Sequence, residues 1–297
     1  MQYRTLGKTG ERVSAIGLGG AHLTRAGDAA EATRIVRTAV DGGITFLDNC
    51  WDYGLGDAEV RMGNALRDGY RQKVFLMTKI DAHFAAVATQ QIEQCLTRLQ
   101  TDVIDLLQIH EVIRPGDPER VFAPEGTMKA LLEAREQGKI RYIGFTGHKA
   151  PRFLLDMLAV DFAWDSVQMP LNCLDPAHDS FEAQVLPILV ERGIGVLGMK
   201  PLAEGEAVRS GAATAEECLR YALSLPTSVV ITGCESIELV EQALRIGRTF
   251  TPMTPDDMAV LRARVAPLNP RGVLEGYKNG RFDSTIRNPH WLTTAVP

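Results

Sequence analysis

The chain of 297 residues carries 32 Lys and Arg against 37 Asp and Glu, a formal net charge of −5, with 45% hydrophobic and 23% charged residues. This is the balance of an ordinary globular protein, and the absence of any basic block argues against nucleic acid as a partner. No stretch approaches the ~20 apolar residues of a membrane span, and the opening Met1–Ala15 lacks the apolar core of a signal peptide, so a cytoplasmic protein with no membrane partner is expected.

The cysteines, Cys50, Cys95, Cys173, Cys218 and Cys234, are odd in number, scattered and never spaced C-x-x-C. Neither a disulfide framework nor a structural zinc site is expected from that spacing; free thiols in a reducing compartment are.

In chain order, Gln2–Leu6 and Arg12–Ser14 flank the turn-like Gly7-Lys8-Thr9-Gly10 and predict a hairpin. A repeating beat follows, in which a short apolar run precedes a longer amphipathic stretch. The runs are 15–19, 44–48, 74–78, 103–110, 142–146, 166–169, 195–199 and 228–232. Their spacing is roughly the 30 residues of one βα unit. Continuous rather than alternating apolarity suits strands covered on both faces, as in a parallel sheet.

Helices are predicted over 29–41, 85–99, 128–137, 152–160, 181–192, 214–225, 236–246 and 255–266. In the first, Ala32, Ile35, Val36, Ala39 and Val40 share one face. Several end at glycine, as in Asp41-Gly42-Gly43 and Arg192-Gly193, where a residue without Cβ takes the left-handed cap. Eight alternating units predict a closed (β/α)₈ TIM barrel over an open doubly wound sheet. The G-x-G-x-x-G fingerprint of the latter is absent from Gly17-Leu18-Gly19-Gly20-Ala21-His22. An irregular polar C-terminal extension, 269–297, follows the last helix. With no linker visible, 1–297 reads as a single barrel domain.

A barrel of this kind places its chemistry at the C-terminal ends of the strands. There the second run ends in Asp48, the third runs into Lys79 and the fourth ends in His110, while Tyr53 follows Asp48 on the next loop. A carbonyl that accepts a hydride needs a proton on its oxygen. Free tyrosine, with a pKa of ~10, is a poor acid near neutrality, and a nearby ammonium lowers that value. The sequence therefore predicts Tyr53 as acid, Lys79 as the charge that lowers its pKa, Asp48 as partner of Lys79, and His110 as a group that orients the carbonyl or assists the proton transfer. Each residue alone has a structural explanation: a helix cap, a rim ion pair, a satisfied histidine, a packed ring. The case lies in their convergence on adjacent strand ends.

These segments, Gly17-Leu18-Gly19-Gly20, Leu47-Asp48 through Tyr53-Gly54, Met77-Thr78-Lys79 and Leu107-Gln108-Ile109-His110, resemble those of the aldo-keto reductase family over nearly the whole chain. The resemblance implies reduction of an aldehyde or ketone with a nicotinamide cofactor. It places the cofactor against Gly19, Gly20, Asp48, Thr146, His148, Gln168, Met199, Lys200, Pro201, Leu202, Gly233 and Cys234. Thr146-Gly147-His148 departs from the usual Ser-Asn, with Thr146 in place of the serine and His148 beside the missing asparagine. Met199 stands where a stacking tyrosine is common. NADP(H) is expected from family habit, but Gly233 and Leu239 replace the usual basic residues and Glu235 is an anion, so NAD(H) stays open.

Trp51, His22 and Trp291 are candidate pocket residues for a small carbonyl substrate. Trp291 is open between covering the mouth and packing on the barrel. No metal is expected, because a metal-dependent hydrolase needs several His and carboxylate ligands and Lys79 would repel the ion. The second alternative is a regulatory subunit of the same fold that binds cofactor without turnover. The oligomeric state is not legible.

Overall fold

The computed structural model describes residues 1–280, 282–286, 288 and 292. Strands β1 (Tyr3–Thr5) and β2 (Arg12–Ser14) form the antiparallel hairpin. Then come β3 (Ile16–Gly19), β4 (Phe46–Asp48), β5 (Phe75–Ile80), β6 (Ile104–Ile109), β7 (Ile140–Thr146), β8 (Ser166–Pro170), β9 (Gly195–Met199) and β10 (Val229–Gly233). They close into a parallel barrel in the order β10-β3-β4-β5-β6-β7-β8-β9. Every predicted apolar run becomes one of its strands.

The inside of the barrel is layered, because alternate residues of a strand point the same way. Its lower layers are apolar. Phe46, Phe75, Met77, Leu106, Leu197, Val229 and Ile231 form a buried cluster, closed by Leu6 and Val13 from the hairpin. Two residues further along the same strands the chemistry changes. Phe46 gives way to Asp48, Met77 to Lys79, and Leu106 to Gln108 and then His110. A larger cluster fills the space between strands and outer helices. Gly144 on β7 marks a close approach inside: a Cβ there would lie 2.3 Å from Ser166 Oγ and 3.0 Å from Gln108 Nε2. The missing side chain leaves room for Gln108 to donate to Ser166 Oγ at 2.9 Å.

The helices follow their caps and stripes. Asp28 accepts from the Glu31 amide to start Ala29–Asp41, whose predicted apolar face is buried. Reciprocal capping boxes open Ala215–Ser224 and Pro255–Val265. The predicted helix 181–192 is two short pieces, Phe181–Gln184 and Leu186–Arg192, with Pro187 near the start of the second. Three further helices, Asp57–Ala65, Asp117–Val121 and Glu206–Arg209, were not expected. No helix among the described residues is long and apolar enough to cross a membrane.

The C-terminal extension is tied down by a buried ion cluster. Lys278 Nζ donates to Asp175 Oδ1 at 2.8 Å, to the His178 carbonyl at 2.7 Å and to Glu275 Oε2 at 3.1 Å. Tyr277 donates to Glu275 Oε1 at 2.6 Å and accepts from Asn172 at 2.9 Å. Buried carboxylates left without their cation cost more than the pair was worth. Lys278→Met is therefore expected to destabilise the protein by about 3–5 kcal/mol, measured by denaturant unfolding.

Candidate active site

β4, β5 and β6 are neighbours in the barrel, so their C-terminal ends bring Asp48, Lys79 and His110 to one rim. Lys79 is almost wholly buried and its ammonium is fully engaged. It forms a short ion pair with Asp48 Oδ1, donates to the Asn49 carbonyl at 2.7 Å, and reaches the Tyr53 hydroxyl oxygen at 3.3 Å. Gln168 Nε2 from β8 donates to the other Asp48 oxygen at 3.1 Å. The Tyr53 ring stands edge-on to His110, 6.0 Å between centroids. The predicted quartet is thus one contiguous cluster.

The electrostatics correct one expectation. Burial pushes the Tyr53 phenol well above the ordinary tyrosine value, and the Lys79 charge offsets this only in part. A net lowering does not hold, because desolvation of the buried phenolate outweighs the ammonium beside it. For Lys79 desolvation also works against charge, but Asp48 and Tyr53 outweigh it and hold the ammonium above its ordinary range. The phenol is kept protonated and the lysine charged: an acid held loaded beside a cation that would stabilise its conjugate base.

His110 has a partner that the sequence did not reveal. Its Nδ1 lies 2.6 Å from Asp81 Oδ1 and 3.4 Å from Cys50 Sγ. Desolvation works against the imidazolium, yet Asp81 and Glu111 outweigh it, so its pKa is raised. The strand β5 runs past the predicted end at Thr78 to Ile80, so Asp81 continues the inward face of Met77 and Lys79. That period of two was the available signal.

The remaining candidates divide. Among the described residues, Thr146 Oγ1 and Gln168 Oε1 are buried polar atoms without a hydrogen-bond partner. Thr146 ends β7 and pairs with Gln168 in the middle of β8, and Gln168 touches Asp48. These orphaned acceptors suit a polar ligand group such as a carboxamide. His148 Nε2 lies 3.2 Å from the Phe282 carbonyl, and burial lowers its pKa to about 4. Met199 ends β9, followed by Lys200 in left-handed backbone at φ 54°. The Lys200 ammonium pairs with Glu204 at 2.8 Å and lies over the Phe282 ring at 4.6 Å. Pro201 and Leu202 open the turn after it, and the buried Cys234 thiol is pushed up to about 12.

Gly19 closes β3 opposite Gly233 of β10, and Gly20 begins the turn that follows. His22 stands at that end too: it fills the space a Cβ on Gly233 would need and lies 3.4 Å from Glu235. These contacts draw His22 toward the β10 turn. Trp51 is tied to the helix Ala85–Leu99, donating from its indole to Gln94 at 2.6 Å with the Arg98 guanidinium 5.2 Å from its ring. Trp291 lies outside the described residues.

A family model described as the Aldo/keto reductase family matches residues 15–212, two thirds of the chain. The chain belongs to the aldo/keto reductase family. It is 30% identical over 224 residues to aldo-keto reductase YhdN of Bacillus subtilis, a match covering 69% of this chain and 63% of that protein. The holo form of aldo-keto reductase AKR11C1 from Bacillus halodurans superposes with a TM-score of 0.73 at 26% identity, covering 94% of this chain and 99% of that one. An aldo/keto reductase from Klebsiella pneumoniae, solved with NADP and acetate, shares the fold at a TM-score of 0.70 and 22% identity, covering 90% of this chain and 96% of that one.

The buried histidines of this reductase-family chain make its stability acid-sensitive. His83 and His148 both have pKa values lowered to about 4, first because burial disfavours their charge. An unfolded histidine titrates near 6.5, so between ~6.5 and ~4 only the unfolded chain gains these protons. Stability is expected to fall as pH drops through that window. The urea midpoint of His83→Asn should fall less than that of the wild type between pH 7 and pH 5.

Proposed function

We propose that this chain is an NAD(P)H-dependent oxidoreductase that reduces an aldehyde or ketone to an alcohol, with Tyr53 as the general acid. The observation that carries this reading is the 3.3 Å contact between the Lys79 ammonium and the Tyr53 hydroxyl at the barrel mouth. The homologous family and its nicotinamide-bound member support the cofactor class.

A bound reduced nicotinamide would supply the hydride. Thr146 Oγ1 and Gln168 Oε1, both buried and unpartnered among the described residues, would hold its carboxamide near Asp48. Tyr53 gives its proton to the substrate oxygen as negative charge develops there. Lys79 then faces the phenolate with a fixed, desolvated positive charge, and stabilisation of this kind is strongest where water is excluded. Asp48 keeps Lys79 charged and in place. His110, its ring held through Nδ1 by Asp81, orients the same substrate oxygen. Glu235, the anion at the β10 turn, disfavours a cofactor 2′-phosphate, while Arg25 at 3.8 Å partly offsets it. NADP(H) remains the proposed cofactor on family grounds, and kcat/KM with each dinucleotide tests it.

Tyr53→Phe is expected to lower aldehyde reduction by about 10²–10⁴-fold while NADPH binding, followed by fluorescence titration, is kept. Turnover near the wild-type value would refute the acid assignment. NADPH binding by the wild type without turnover of any aldehyde would favour a regulatory subunit. Lys79→Met removes the charge that receives the phenolate, so kcat should fall by a comparable factor even where the variant still binds cofactor.

A further inference from the structure

His110 is gripped on one side by three side chains that converge from distant parts of the chain. Asp81 Oδ1 lies 2.6 Å from His110 Nδ1. A carboxylate only accepts, so this nitrogen carries the proton and Nε2 is the nitrogen left for other use. Asp81 is in turn reached by Ser284, whose Oγ lies 3.1 Å from Asp81 Oδ1 and 2.6 Å from Glu111 Oε2. One hydroxyl proton serves one carboxylate at a time. Glu111 also accepts from the Ser284 amide at 2.8 Å, which favours its ionised form. The residue is held in left-handed backbone at φ 55°, directly after His110.

Ser284 is delivered by the C-terminal segment, and that segment is clamped. Arg114, on the loop after β6, forms a short ion pair with Asp283 and donates to Thr285 Oγ1 at 2.7 Å. His148 meets the Phe282 carbonyl from the loop after β7. The polar contacts of the segment thus end at the imidazole at the barrel mouth.

We propose that Asp81 is a positioning residue for His110. It fixes the proton-bearing Nδ1 toward itself, turns Nε2 toward the substrate oxygen, and is braced by Ser284 of the C-terminal segment. No bond is made or broken in this role; Asp81 and His110 share one hydrogen bond throughout the reaction. The role rests on the proposed carbonyl reduction for its purpose, but the geometry of the imidazole does not.

The charged and titratable groups facing His110 come from every side. Asp81 and Lys79 belong to β5 and its end, Cys50 and Tyr53 to the loop after β4. Glu111 is the next residue, and His148 comes from the loop after β7. The anions Asp81 and Glu111 favour the imidazolium; Lys79 opposes it.

The test is a titration of the His110 ring by NMR in ¹⁵N-histidine-labelled protein, wild type against Asp81→Asn, without substrate or cofactor. The expected result is a fall in the His110 pKa of about one unit or more and loss of the fixed Nδ1–H tautomer. Ser284→Ala should give a smaller shift in the same direction. Should Asp81→Asn not fold, the wild type alone carries the test: its neutral ring must be the Nδ1–H tautomer, and a neutral ring protonated on Nε2 would overturn the proposal. An unchanged pKa and tautomer in the folded variant would overturn the proposal. In turnover assays Asp81→Asn should lose kcat roughly tenfold or more and shift the pH profile to lower pH. If Tyr53→Phe keeps full activity, the reductase reading fails by itself, while the titration still reports whether Asp81 holds His110.

Discussion

A lysine ammonium with 1% of its side chain exposed is the constraint around which the site is built. Taking that charge out of water is costly unless it is paired and fully hydrogen-bonded. Asp48 supplies the countercharge, the Asn49 carbonyl a second acceptor and the Tyr53 hydroxyl a third. The partners sit at the end of β4 and on the loop after it, while the lysine comes from β5, so the ammonium can be satisfied only when all three are correctly assembled. The tyrosine is therefore placed by the needs of the lysine. The burial that makes the pair costly also excludes water, where a fixed charge acts most strongly on a developing phenolate.

The barrel supplies this burial through its layers. Phenylalanines, methionine and leucines fill its lower interior, and the hairpin closes the bottom with Leu6 and Val13. The same strand faces turn polar only in the last layer. Two carboxylates with nitrogen partners, Asp48 with the Lys79 ammonium and Asp81 with the His110 ring, then stand side by side at the top. In the first pair the cation faces the Tyr53 hydroxyl at 3.3 Å. In the second the anion holds an imidazole. Their division of labour follows from position: Lys79 points into the strand-lined interior, whereas His110 lies just past β6, within reach of the C-terminal segment.

Much of this was legible beforehand. Continuous apolar runs mark strands covered on both faces, and here they place every barrel strand. Reading the residues at their C-terminal ends finds Asp48, Lys79 and His110. Other features were hidden for physical reasons. The helix Asp57–Ala65 buries Glu59 beside Ala58 and Met62, which breaks its apolar stripe; only the fold shows that Thr78 donates to that carboxylate at 2.6 Å and Arg98 pairs with it at 3.4 Å. The net effect of Lys79 on Tyr53 depends on how deeply both are buried, a quantity that spacing along a chain does not carry. Ser284 meets Asp81 across 203 residues of sequence, from a tail with no periodicity to announce it.

The central claim is that a charged lysine persists in a buried site because Asp48 and Tyr53 require it. It is tested most directly by observing the Lys79 amine in ¹⁵N-lysine-labelled protein, assigned by comparison with Lys79→Met, across the neutral to alkaline range. The account predicts a fully protonated ammonium beyond the ~10.4 at which a free lysine is half-titrated, with slowly exchanging protons. A neutral amine near pH 7 would contradict it.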